Sequence, residues 1–171
     1  FSKLIIMNNK YITIYVLLLL AILLVIFNKS ILINHILWFI FIASISIIML
    51  PYIHTSSYIQ SSIISTCIIF ILMTIVGIKY KSFFNKYTNQ LSIGLFIALI
   101  AIIITEIMLI ITGNYKKNKL IMSYIVIILF SIFIAYDTNR LAYYAKTCVK
   151  SPNYPHHSMN LFLDIINIFV R

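Results

Sequence analysis

The sequence predicts an all-α, polytopic membrane protein: one transmembrane helical domain over residues 1–171, packed as a bundle of six helices. Three observations carry that prediction. The chain is 63% hydrophobic and only 9% charged, with a mean hydropathy of +1.07, well outside the range of soluble domains. Several apolar runs approach or exceed the roughly 20 residues that a helix needs to cross about 30 Å of hydrocarbon. The connections between them, among them "NKS", "HTSSY" and "NYKKNK", are short and polar, which suits antiparallel neighbours with no soluble domain between them.

The first run, 11–27, is uninterruptedly apolar and ends at Asn28-Lys29-Ser30. The second, 31–53, contains Trp38 as an aromatic anchor, with His35 and His54 near its ends as interfacial residues. Pro51 either kinks this helix or ends it. The third, 59–78, has Ser61, Ser62, Ser65 and Thr66 at positions where small side chains allow close helix contact. The polar connection "KYKSFFNKYTNQ" leads to the fourth, 91–113, and "NYKKNK" to the fifth, 120–137, which closes on Asp137. A last run from 158 to 171 has 14 residues, about 21 Å of helix, too short to cross the hydrocarbon. Either it is re-entrant or the chain is a fragment, a reading that the opening Phe1 also suggests.

A formal charge of +10 raises nucleic acid as a partner, but the Lys and Arg residues sit in separate gaps between apolar runs and form no stripe with interleaved aromatics. The expected partner is instead the lipid bilayer, with these cations meeting anionic headgroups. Lys3, Lys10, Lys116, Lys117, Lys119 and Arg171 fall on one side, and Lys29, Lys79, Lys81, Lys86, Arg140, Lys146 and Lys150 on the other. So even a division sets no orientation. Cys67 and Cys148 lie far apart with no metal-ligand spacing and read as free thiols.

The chain has only three acidic residues, Glu106, Asp137 and Asp164, and all fall in or at the edge of predicted spans. A carboxylate at mid-bilayer costs about 2.5 to 3.5 kcal/mol on insertion scales, which makes each a candidate functional residue. Asp137 at the end of one helix and Asp164 two turns into the next would meet across an antiparallel hairpin. On the last helix His157, Asn160, Asp164, Asn167 and Arg171 recur at spacings of three and four, drawing one polar stripe along an apolar surface.

Two carboxylates side by side in a low dielectric cannot both ionise cheaply, so they hold one proton between them. Deprotonated, they offer hard oxygens to a cation such as Ca²⁺, which takes six to eight. Asn160, Asn167, Thr138 and water supply the remainder, a thin set suited to weak transit binding and not to storage. The alternative is that Asp137 pairs with Arg140 as a boundary ion pair and Asp164 is interhelical glue. His156 and His157, beside the stripe, either add pH dependence or are plain loop histidines. Glu106 is either a second way-station for ions or a hydrogen-bonded interhelical glutamate.

Catalysis is not expected. The sequence has no GxSxG, HExxH, Walker loop or CxxC, and its two aspartates lack the GxGD setting of intramembrane aspartyl proteases. No tightly bound cofactor is expected either.

Two motifs, "YDTNRL" and "LFLDIINIF", resemble in order and spacing those of the Bax inhibitor family, transmembrane proteins with a Bax-inhibitor motif. The basic "KYKSFFNKYTNQLSIGLFIAL" is similar to that family's entry into its fifth helix. The resemblance implies seven membrane segments, of which the runs here are the second to seventh and the first precedes Phe1. It also implies a cytosolic connection between the last two helices. It further implies a Ca²⁺ leak with protection from cell death, gated by Asp137 and Asp164. One departure is that the run "YITIYVLLLLAILLVIF" lacks the arginine that bonds the aspartate pair in family members with a described gate.

The function expected is therefore a pH-sensitive calcium leak channel with an anti-apoptotic role, Ca²⁺ being the transported or weakly bound species. A non-conducting regulator that suppresses cell death through contacts with other membrane proteins, and a proton-coupled carrier, are the alternatives. The expected location is the endoplasmic reticulum or Golgi membrane in a eukaryotic or viral setting, and the plasma membrane in a bacterial one.

Overall fold

A computed structural model describes residues 31–55, 58–147 and 154–171. Among them are six helices and no strand: α1 (Ile31–Thr55), α2 (Ile59–Lys79), α3 (Lys81–Lys86), α4 (Thr88–Ile111), α5 (Tyr115–Thr147) and α6 (Tyr154–Phe169). α2, α4 and α5 are each long and apolar enough to cross a membrane, while the apolar stretches Leu32–Ile47 and Ser158–Phe169 are shorter. The expected span 11–27 lies outside the described residues.

The chain divides into two compact units, Phe1–Ile59 with Val149–Met159, and Gln60–Cys148 with Asn160–Arg171. In the first, α1 runs on through Pro51 to Thr55, so proline does not end this helix. Phe41 and Ile45 are buried, one turn apart on one face. Ser44 and Ser46 turn their hydroxyls back onto the carbonyl oxygens of Ile40 and Ile42, at 2.8 and 2.9 Å. That internal bonding is how a hydroxyl is satisfied where no water is available.

The second unit is built on α5, the most buried of the three long helices. Phe84, Leu95, Leu129, Ala135 and Tyr136 form its core, with Met73, Val76, Leu91, Ala98, Leu99, Ile102 and Phe133 packed around them. The outward sides of α2 and α4 carry exposed isoleucines such as Ile64, Ile68, Ile97 and Ile104. A helix that is apolar all round suits burial in hydrocarbon.

Several boundaries differ from the sequence reading, and α5 already begins at Tyr115, five residues before the expected 120. α5 does not close at Asp137 but continues ten residues further, to Thr147. The polar residues of "DTNRLAYYAKT" mark where apolar character falls, whereas the backbone meets no Gly or Pro until Pro152 and the helix carries on. The connection "KYKSFFNKYTNQ" is largely helical, split into α3 and the start of α4. α6 begins at Tyr154, four residues earlier than expected, with Pro155 in its first turn, where a missing N–H costs nothing. α4 ends as its sequence suggests, with Gly113 at φ 72° and the Thr112 and Gly113 N–H groups returning to the carbonyls of Met108 and Ile110.

A close backbone approach in this unit joins α2 to α5. A Cβ added at Gly77 would overlap the Ala135 carbonyl oxygen, and Asn139 Nδ2 donates to the Gly77 carbonyl oxygen at 3.2 Å. Small residues that let backbones touch, reinforced by a side-chain amide, are how helices associate without a hydrophobic driving force between them.

Candidate functional site

The site is a cleft of about 620 Å³ in the second unit, walled by α4, α5 and the C-terminal part of α6. The helical spacing of Asn160, Asp164, Asn167 and Arg171 places all four on its lining, so the polar stripe faces protein. The side chain of His157, its fifth member, lies outside the described residues, as does that of His156. From α5 come Tyr136, Asp137 and Arg140, and from α4 Ser92 and Glu106.

Asp137 and Asp164 are 7% and 5% exposed, and their carboxyl groups lie within hydrogen-bonding reach of each other. Such a bond requires one of the two to keep its proton and donate it to the other. Asp164 Oδ2 has no hydrogen-bond partner among the described residues, an unusual state for a buried oxygen.

Other nominated residues divide. Asn160 and Asn167 line the cleft, with Asn167 Nδ2 donating to the Leu163 carbonyl oxygen at 2.9 Å, which leaves its Oδ1 available. Thr138, expected to add a ligand, is buried but is not part of the lining. Arg140 lines the cleft beside Asp137 without forming an ion pair with it. Its Nε and Nη2 both lie 3.4 Å from the Tyr144 hydroxyl, and its guanidinium stacks on that ring at 5.5 Å.

Glu106 does not join the aspartates. Its Oε1 pairs with Arg171 Nη1 at 2.5 Å, the one ion pair among the described residues. The pair links α4 to the residue beyond α6. Its side chains retain 21% exposure each, so it should contribute less than about 1 kcal/mol, as water-exposed pairs do. A double-mutant cycle with Glu106→Gln and Arg171→Gln, read by thermal unfolding in detergent, checks this. A coupling of about 3 kcal/mol or more would mean that the cleft is dry.

No three His, Cys, Asp or Glu side chains come together among the described residues, so a cation here would meet two carboxylates and then amide oxygens and water. Cys67 is a free, exposed thiol, as its isolation predicts. Sequence reasoning missed Gly77, Asn139 and Tyr144. Glycine occurs only three times, and that scarcity was the one available signal for Gly77.

A family model described as inhibitor of apoptosis-promoting Bax1 matches residues 1–171. The chain belongs to the Bax inhibitor family. It is thus an integral, Bax-inhibitor-type membrane protein of a cytoprotective and non-enzymatic family, and its apolar helices meet the lipid bilayer. No curated protein and no solved structure matches it. Within this Bax inhibitor chain, the stretches "YDTNRL" and "LFLDIINIF" each supply an aspartate to the same cleft.

Proposed function

We propose that this Bax inhibitor protein is a pH-sensitive calcium leak channel, with Asp137 and Asp164 as its gate and Ca²⁺ as its transported ion. The observation that carries the reading is the carboxyl pair, buried and in mutual reach within a cleft that continues along the polar stripe of α6. With a proton between them the two oxygens hold α5 to α6. Without it, repulsion loosens that contact and four carboxylate oxygens become available to a divalent cation. Asn160 and Asn167 add amide oxygens, and the low ligand count favours passage over storage.

The anti-apoptotic role expected of the family would then follow from a lowered calcium content of the host compartment. That compartment would be the endoplasmic reticulum or Golgi in a eukaryotic or viral host, whereas in a bacterial one the protein would sit in the plasma membrane.

The test is Ca²⁺ flux from liposomes carrying the whole chain. Wild-type flux varies with pH, and Asp164→Asn flattens that profile, because an amide can neither share nor release the proton. An unchanged profile, or no flux from wild type, removes the channel reading. A second reading, a non-conducting regulator that contacts other membrane proteins including cell-death regulators, is favoured by the same Asp137–Asp164 contact acting as interhelical glue. It expects no flux at any pH and a lowered melting temperature for both Asp→Asn variants.

A further inference from the structure

Two further cavities of the second unit adjoin each other at the C-terminal end of α5, and their chemistry differs from that of the aspartate cleft. The larger, about 570 Å³, is lined by Arg140, Tyr143, Tyr144 and the first residues of α4. The smaller, about 280 Å³, is lined by Lys81 and Lys146. Asn85, Asn139 and Tyr143 border both. Three cations therefore border two adjoining cavities, Arg140 the larger and Lys81 and Lys146 the smaller, together with amide and hydroxyl groups, and none of the three carboxylates of the chain lines either space. Asp137, one turn before Arg140, lines the aspartate cleft instead.

The backbone adds to the same field. α4 starts at Thr88, and Thr88, Asn89 and Ser92 border the larger cavity, so the N–H groups of its first turn and the positive end of its dipole lie at the cavity wall. No side chain caps that end and no acid stands in its first turn. Guanidinium, ammonium and hydroxyl donors around a helix N-terminus are the chemistry that recognises phosphate.

We propose that Arg140, Lys81 and Lys146 form a binding site for the phosphorylated headgroup of an anionic membrane lipid. The lipid source is argued from position. The cavities lie where α4 enters its apolar stretch, with Phe83, Ile93, Phe96 and Ile97 exposed on the same helices, so a phosphate held there has apolar surface beside it for acyl chains. A cavity of this size takes a whole headgroup. The site shares Ser92, Tyr136 and Arg140 with the aspartate cleft, but it does not depend on the calcium reading and survives its failure.

The experiment uses the full chain in phosphatidylcholine nanodiscs, with native mass spectrometry and thermal unfolding as readouts. The probes are a phosphatidylinositol bisphosphate, phosphatidylserine at matched charge, and a water-soluble inositol polyphosphate. The bisphosphate lipid should be retained at about tenfold lower concentration than phosphatidylserine, as expected when charge-assisted hydrogen bonds add to general attraction. Lys81→Gln with Lys146→Gln, and separately Arg140→Gln, should remove that preference. Lys116→Gln with Lys117→Gln, an equal charge loss in the first turn of α5, at the opposite end of that helix, should keep it. Since Lys81 and Lys146 are exposed, their variant tests the proposal even where Arg140→Gln unfolds. Equal retention of both lipids, equal loss in the Lys116 and Lys117 variant, or binding of the soluble polyphosphate as tight as that of the lipid would each overturn it.

Discussion

Gly77→Ala should cost this protein most of its folded yield. The added Cβ would overlap the Ala135 carbonyl oxygen, and that atom belongs to the backbone of a buried helix, so it cannot rotate aside as a side-chain tip would. α2 and α5 must separate, and the Asn139–Gly77 hydrogen bond of 3.2 Å lengthens with them. Overpacking typically costs about 1 to 3 kcal/mol, and loss of a buried hydrogen bond leaves the amide of Asn139 unpaired for about 1 to 3 more. Gly94 supplies the contrast. Nothing lies within 4 Å of a Cβ built there, and it sits inside α4, so Gly94→Ala should be neutral or stabilise by up to about 1 kcal/mol. Thermal unfolding and size-exclusion recovery in detergent check both. If Gly77→Ala melts with wild type, the close α2–α5 approach is wrong.

Asp164→Lys should abolish Ca²⁺ flux at every pH. In the proposed gate the proton between Asp137 and Asp164 leaves, whereas an ammonium in its place stays charged opposite a carboxylate and forms a permanent ion pair across α5 and α6. It also sets a positive charge in the cleft, where a few ångströms from a divalent cation the repulsion outweighs what weak oxygen ligands offer. A fall of tenfold or more, about 1.4 kcal/mol of barrier, is the threshold. Asp164→Asn, which only removes the titration, serves as the neutral reference. Liposome flux with a folding check on each variant distinguishes the two. Conduction by Asp164→Lys at the wild-type rate would place the ion route elsewhere.

Legibility differed among the elements for physical reasons. On α6 the Asn160, Asp164, Asn167 and Arg171 spacing stood out because polar side chains on an apolar helix occur where protein or water receives them, and the stripe does line the cleft. The end of α5 was misplaced because polarity reports the edge of apolar surroundings, while the helix ends only where the backbone is interrupted. The connection before α4 concealed two helical segments for the same reason.

From the sequence came the class of the protein, the approximate position of each long helix and the two aspartate-bearing stretches that line one cleft. These follow from apolar run length and helical period, which are local properties. Tertiary structure alone decided that Glu106 takes Arg171, 65 residues away, that Arg140 turns to Tyr144, and that Gly77 touches Ala135. Helices such as α2 and α4 are apolar on every side, so their sequences carry no signal of which face turns inward. Only packing chooses the rotation, and with it the partner of every polar atom the helices carry.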